Sequence, residues 1–443
     1  MDGREDWRTE REAEERAGQP LESVAASEAL APQLGSTSGD MPHMIRALRN
    51  REFRWFWAGN FLSNIGTWMQ NVAMGWLVLQ LATENPAFWL GVVGFASSAP
   101  MLAFSLLGGV IADRVNRRKL MLMTQTAMMV FAFTIWGLTA LHWMKLPLLV
   151  LLSFLTGISM ALNNPSQQAL VPQLVPREDL ANAIALNAAQ FNMSRVVGPT
   201  LGGFAMAWFG VQGNFLLNGL SFVAVLVALA RIHYPTQYAA EKNSMWGDLV
   251  EGLRYVFDRR DLFTLLSMTA VASVLVIPYI TFVPLFAKQI LHLDARGFGL
   301  LMAANGGGAF LAAVTMAFRR RWKHGGRVVF RASIAFYVFV ALFAISRNVW
   351  VSGLMLVGAG YFMVLMIATV NVLLQHLSED KMRGRVMSIY ATAFLGFTPL
   401  GSLMAGSLAG TFTAPVSIAA MAVAAIGINS VIYSRGKGMS GLR

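Results

Sequence analysis

Gly108-Gly-Val-Ile-Ala-Asp-Arg-Val-Asn-Arg-Arg-Lys119 places one carboxylate, Asp113, at the end of a long apolar run and follows it with four cations, Arg114, Arg117, Arg118 and Lys119. Upstream, residues 85–112 carry no charge; downstream, 120–141 carry none. Each window exceeds the roughly 20 apolar residues that a helix needs to cross a bilayer. The segment therefore reads as a short charged loop joining two membrane helices. A carboxylate at a membrane edge is costly unless it is paired or faces a helix N-terminus. Gly109 lets a neighbouring helix approach closely.

Working outward, charge-free windows recur at 55–83, 146–176, 262–287, 297–318 and 348–378. The window 328–346 holds Arg331 near its start, where a long side chain can snorkel. Two longer windows, 180–230 with Arg195 alone and 386–434, must each fold into two spans, broken near 210–214 and 411–415. The expectation is an all-α membrane protein of twelve transmembrane helices. Composition agrees: 56% of residues are hydrophobic, 13% are charged, and mean hydropathy is +0.53. A soluble chain carries about 25% charged residues. These figures exclude a soluble enzyme, a disordered chain and a nucleic-acid binder. Zero cysteines exclude disulfides, thiolate metal sites and thiol catalysis.

The net charge of +12 is unevenly spread. Residues 1–40 hold ten acids and four arginines, lack an apolar core and read as a disordered acidic tail. That tail is either dispensable, an extension ahead of a start at Met41 or Met44, or a regulatory arm. With both termini placed in the cytoplasm, 30 of the 35 Lys and Arg fall on that side. Lys145, Lys288, Arg296 and Arg347 fall opposite, and Arg195 stays within the membrane. This bias orients the chain in a cytoplasmic (inner) membrane with both termini inside.

The halves echo each other. Leu174-Val-Pro-Arg-Glu-Asp-Leu-Ala-Asn182 precedes the fifth span and Leu377-Ser-Glu-Asp-Lys-Met-Arg-Gly-Arg385 the eleventh. Within those spans Gly198-Pro-Thr-Leu-Gly-Gly203 matches Thr398-Pro-Leu-Gly-Ser402. The division that follows is a tail 1–40, a six-helix bundle 41–234, a connector 235–260 and a second six-helix bundle 261–443. In the connector, Trp246, Leu249, Val250, Leu253, Val256 and Phe257 fall on one helical face, as in an amphipathic helix on the inner membrane surface or an ordinary packed linker. Duplicated bundles place a transport site at their interface near the midplane.

The loop quoted first resembles the Gly-x-x-x-Asp-Arg-x-x-Arg-Arg signature of the major facilitator superfamily, at Gly109, Asp113, Arg114, Arg117 and Arg118. With the spans and the repeat, the resemblance covers residues 45–435. It implies a conformational lock in which Asp113 faces the start of the eleventh span at Gly384-Arg385; the alternative is that the cations only set topology. The second half keeps Arg319–Arg321 but lacks the acid. Gly198, Pro199, Gly202 and Gly203 resemble the antiporter signature of the superfamily's exporters, and packing alone would also favour them. Ile65-Gly-Thr-Trp-Met-Gln70 and Val171–Asn182 look like the branch containing the enterobactin exporter and multidrug or macrolide efflux proteins.

Polar side chains inside the spans are candidates for the cavity. Asn60, Asn64, Thr67 and Asn71 line one face of the first span, with Gln70 off that stripe. Asn305 stands before Gly306-Gly-Gly308, at a kink or on a cavity wall, and Asn371 lies towards the cytoplasmic mouth. Arg195 either binds an anionic cargo group or is a structural cation. None of the thirteen acids beyond residue 40 falls mid-span, so no central carboxylate is available to carry a proton.

The expected activity is secondary active export of small organic molecules, such as a drug, siderophore or other metabolite, by alternating access coupled to protons. An importer, a lysophospholipid flippase and a non-transporting membrane receptor on the same fold are the alternatives. No nucleophile–base pair, metal cluster or nucleotide-binding loop occurs in the spans, so neither an enzyme nor a cofactor is expected. The expected partners are a small-molecule substrate, protons and the lipid bilayer, without nucleic acid, for a monomer.

Overall fold

The computed structural model describes residues 45–114, 116–232, 245–318 and 324–436, with side chains for all of these except 102–114, 245–249 and 317–318. The described chain is helical. We label α1 Arg51–Leu81, α2 Pro86–Arg114, α3 Arg117–Ala140 and α4 Leu146–Leu170. The stretch Leu180–Arg231 is broken at Gly210, whose φ of 71° is the left-handed conformation that glycine adopts freely, into α5 (180–209) and α6 (211–231). Then follow α7 Met245–Asp258, α8 Arg260–Ile290, α9 Ala295–Phe318, α10 Gly325–Ile345, α11 Val349–Leu377, α12 Asp380–Thr411 and α13 Ala414–Arg435. Among the described residues, nine helical stretches are long and apolar enough to cross a membrane, counting the broken 55-residue stretch Arg177–Arg231 once. The helices α1 and α2 add 31 and 29 residues.

Local chemistry sets the boundaries. Proline stands at the start of α2 and in the first turn of α4 and α13, where its missing N–H costs nothing. The Asn348 side chain accepts from the Trp350 and Val351 amides at 2.9 and 3.2 Å, and Asn116 accepts from the Lys119 amide at 3.1 Å. The span around Arg331 forms as expected, over Gly325–Ile345, with Arg331 exposed near its start.

In the first half, α1 packs on the α5–α6 stretch, α2 on α4, and α3 on α4 and α6; in the second, α11 packs on α9 and α10, and α10 on α13. The halves meet through α2 against α12 and α5 against α9. Both contacts are glycine on glycine. A Cβ added at Gly91 would lie 2.8 Å from the Gly406 Cα, and one added at Gly203 would lie 2.7 Å from the Gly299 Cα. Gly198 and Gly401 each press on a helix of their own half, while Gly203 and Gly406, five residues later, press on the other half.

These crossings lie at the end of the bundle away from Arg46, Arg231 and Arg435, called here the far end. More seals gather there. Trp76 stacks on Phe298 across the halves at 5.6 Å, and the Lys288 Nζ donates to the Leu79 carbonyl in the last turn of α1 at 3.2 Å. One apolar core runs through both halves and includes Trp76, Leu90, Phe282, Phe286 and Phe343. At the terminus end the first half has a core of its own, around Phe53, Phe56, Met121, Phe222 and Leu229.

Candidate functional site

A cavity of about 470 Å³ opens between the halves. Its wall comes from α1, α2, α3, α4 and α6 of the first half and α8, α9 and α12 of the second. Irregular backbone borders it. A five-residue π-helical turn at Ala272–Val276 precedes the lining residue Ile277, another at Thr392–Gly396 contains the lining residues Phe394 and Leu395, and such turns concentrate at functional sites. They are tied together, since Ser273 Oγ donates to the Phe394 carbonyl at 2.5 Å and meets Thr398 Oγ1 at 2.9 Å.

All four residues of the predicted α1 stripe line the cavity. Thr67 Oγ1 turns back to the Ser63 carbonyl at 2.9 Å. Asn60 is buried, and its Nδ2 has no hydrogen-bond partner among the described residues. Gln125 Oε1 on α3 shares that condition, and it too belongs to the lining.

Three further polar residues have defined partners. Gln70, set aside as off the stripe, lines the cavity and accepts from Asn218 Nδ2 at 2.7 Å. The cavity is broad enough to take in a residue about 100° around the helix from Asn71. Asn305 bridges helices: its Nδ2 donates to the Tyr279 hydroxyl on α8 and to the Leu356 carbonyl on α11 at 3.3 Å. Asn371 accepts from Gln375 Nε2 at 2.7 Å, one turn away on α11. Neither Asn305 nor Asn371 is among the cavity-lining residues.

A polar row on α4 was missed. Ser153, Thr156, Met160, Asn164 and Gln167 recur at three- and four-residue intervals and all line the cavity, together with Asn163. Asn163 Oδ1 accepts from Thr124 Oγ1 at 3.1 Å and Gln125 Nε2 at 3.4 Å. The same spacing rule that exposes the α1 stripe finds this row.

The antiporter-like residues work on two faces of α5. A Cβ at Gly198 would meet the Trp68 Cβ at 2.5 Å and the Ile65 carbonyl at 2.9 Å, and one at Gly202 would lie 3.1 Å from the Met69 Cα. That face admits α1, while Gly203 admits α9. Pro199 has no N–H for the Arg195 carbonyl, which instead lies 2.9 Å from where a Gly306 Cβ would stand. Arg195 itself sits with its guanidinium carbon 5.8 Å from the centroid of the Trp68 ring; Trp68 lines the cavity and Arg195 is not among the lining residues.

Of the residues expected to form a lock, the side chains of Gly109, Asp113 and Arg114 lie outside the described residues; their backbone belongs to α2. Arg118 donates to the Leu229 and Ala230 carbonyls, each at 2.6 Å, capping α6, and Arg117 donates to the Ala169 carbonyl of α4 at 3.5 Å. Cations suit these negative helix ends. Arg385 pairs with Glu251 of α7 at 2.8 Å. The connector helix α7 packs on α12 through Gly252 and buried Val256, leaving Val250 and Phe257 exposed. Arg319–Arg321 and the connector residues 233–244 lie outside the described residues.

Residues 44–437 match the family model described as transmembrane secretion effector. The chain is similar to the Staphyloferrin A transporter of Staphylococcus aureus, with 26% identity over 86% of this chain and 95% of the relative. It is 23% identical to a Na(+), Li(+), K(+)/H(+) antiporter of Planococcus maritimus, covering 80% and 88% of the two chains. It is 24% identical to the enterobactin exporter EntS of Salmonella typhimurium, covering 83% and 88%. Among solved structures, a bacterial homolog of the human lysosomal transporter Spinster, inward-facing and unoccupied, superposes with a TM-score of 0.65 at 13% identity, covering 91% of this chain and 98% of that one.

Proposed function

The chain belongs to the transmembrane secretion effector family of the major facilitator superfamily, and from that premise we propose that it exports small organic molecules across the cytoplasmic membrane by alternating access, with protons moving the other way. In this reading twelve helices span the membrane as two six-helix bundles, residues 41–234 and 261–443, with both termini in the cytoplasm. The chain works as a monomer. The observation that carries the proposal is a largely apolar cavity with polar rows from α1 and α4, lying between two halves that touch at one end through backbone contacts. With the far end outside, that arrangement is the one that loads cargo from the cytoplasm. Similarity to exporters supports the direction, and similarity to a cation/proton antiporter supports the coupling.

Proteoliposomes with an imposed pH gradient test this reading. Efflux of a compound panel is expected to depend on the gradient and to survive neutralising Glu52, Asp261 or Asp294 one at a time. Asp261 is occupied by Arg259 at 2.7 Å, and Asp294 Oδ1 caps α9 by accepting from the Gly297 amide at 2.9 Å. A part-exposed ion pair and a single helix cap of this kind each contribute about 0–1 kcal/mol, so rates are expected to stay within about fivefold of wild type. Transport that ignores the gradient, or that one of these three substitutions abolishes, defeats the coupling proposal.

Deleting residues 2–40 is expected to leave insertion and efflux near wild type, because the segment is acidic and without apolar periodicity. A truncated protein that inserts normally but loses most activity would make the tail a regulatory arm.

A further inference from the structure

Arg195 is a half-buried cation near the middle of α5. Among the described residues its guanidinium makes neither an ion pair nor a hydrogen bond. Its company is aromatic: the Trp68 ring at 5.8 Å, with Phe191 edge-on to that ring at 6.1 Å, and, from the other half, Tyr279, which Asn305 holds next to the Gly306 contact with the Arg195 backbone. Asp179 is the buried carboxylate among the described residues, and it is committed elsewhere. It pairs with Arg46 at 2.7 Å and accepts from Asn50 at 3.0 Å, at the terminus end. An unpaired guanidinium at low dielectric is a costly arrangement, and an incoming anion relieves the cost.

The neighbouring groups are set to receive such an anion. Tyr279 is buried, and its oxygen accepts from Asn305, which leaves the phenolic proton free to be donated. Arg195 and Tyr279 come from opposite halves, at the place where Gly306 lets α9 close on the Arg195 backbone. Trp68 stands beside them and is itself part of the cavity wall, so the charge lies one aromatic ring from the cavity. The rest of the lining includes Met74, Met101, Met160 and Phe222, which suit an apolar body.

We propose that Arg195 and Tyr279 form an anion-recognising corner behind the Trp68 wall of the transport cavity, reached when the Trp68 ring turns aside, and that the cargo class is aromatic or conjugated monocarboxylates. This rests on the transport reading and deepens it. One cation balances one negative charge, which favours a carboxylate over a doubly charged phosphate. The flat body lies against Trp68 with its acid towards Arg195. A cargo of this kind brings its own carboxylate, so the spans need none.

The test uses indole-3-acetate, 1-pyrenebutyrate and nalidixate beside their methyl esters, which differ from the acids chiefly in charge. Binding to the purified full-length protein is measured at neutral pH by thermal shift and by tryptophan fluorescence. At least one acid is expected to bind about tenfold or more tightly than its ester, the scale of a charge-assisted contact. Arg195→Gln is expected to bring acid down to ester, Arg195→Lys to keep part of the difference, and Tyr279→Phe to reduce it. A structural role for Arg195 would lower stability without changing the acid-to-ester ratio. If Arg195→Gln does not accumulate in the membrane, Tyr279→Phe and Trp68→Leu carry the comparison. Esters binding as well as acids, a ratio unchanged in the variants, or no acid binding at all overturns the proposal. Gradient-driven efflux of ethidium from the same vesicles separates the two readings. Ethidium exported while acids are refused sinks the monocarboxylate assignment alone, whereas no compound moved in either class sinks the transport reading.

Discussion

Asp113→Asn is expected to insert at wild-type level and to export at least about tenfold more slowly. The motive is a single acid at the end of α2 among four cations. Two of those cations, Arg117 and Arg118, cap helices of their own half. The superfamily resemblance directs Asp113 towards the start of α12, where Arg385 meets Glu251 with the far end sealed. If the terminus end closes by bringing α2 to α12, Asp113 supplies a contact made only in that state. A hydrogen bond to a charged group contributes about 1.5–3 kcal/mol, enough to shift a two-state population by about ten- to a hundredfold. Membrane abundance and initial efflux rate are measured together. Wild-type efflux from the variant would leave the cluster as a topology signal alone.

Gly203→Val is expected to abolish export and to leave the far end unsealed. The first added carbon would lie 2.7 Å from the Gly299 Cα and 2.9 Å from the Ala295 carbonyl. Those neighbours are backbone, so no flexible side chain can move aside, and overpacking of this kind costs about 1–3 kcal/mol or more. The remaining carbons of valine add to it. The chain has no cysteine, so a single introduced thiol reports without background. Thr281 lines the cavity close to Gly94, and Thr281→Cys provides that thiol. A membrane-impermeant maleimide added from outside is expected to label it several-fold faster in Gly203→Val than in the parent. Equal labelling with normal efflux would remove the glycine crossing from the transport cycle.

What was legible in the sequence follows from what is local. Spans, caps and breaks are written in runs of about 20 residues and in single residues such as Pro86, Gly210 and Asn348, so their ends could be read directly. The α1 stripe was legible because helical spacing puts Asn60, Asn64, Thr67 and Asn71 on one face. The α4 row obeys the same rule but is fainter, because apolar Met160 interrupts it between Thr156 and Asn164 and its first members are small hydroxyls. Partner choice was not legible. Gln70 finds Asn218, and Asn305 finds Tyr279 and Leu356, through folding of distant segments. Gly198-Pro-x-x-Gly-Gly could be read as a packing face, but not as two faces serving different halves.

The four crossing glycines also make the molecule an unequal lever. Gly91 stands five residues from the start of α2, Gly299 four from the start of α9, Gly406 five from the end of α12, and Gly203 six from the end of α5. Two points of contact define a line, and backbone touching backbone leaves no side chain to withdraw from a socket when the halves turn about it. On α5 the arm beyond that fulcrum is about 9 Å long and the arm towards the termini about 35 Å, at 1.5 Å per residue. The same rotation therefore sweeps the terminus end through nearly four times the displacement of the far end. A gap wide enough to admit a bulky molecule at one end would correspond to a slight loosening at the other, so a turning motion that swung the terminus end wide would move the far-end seal little.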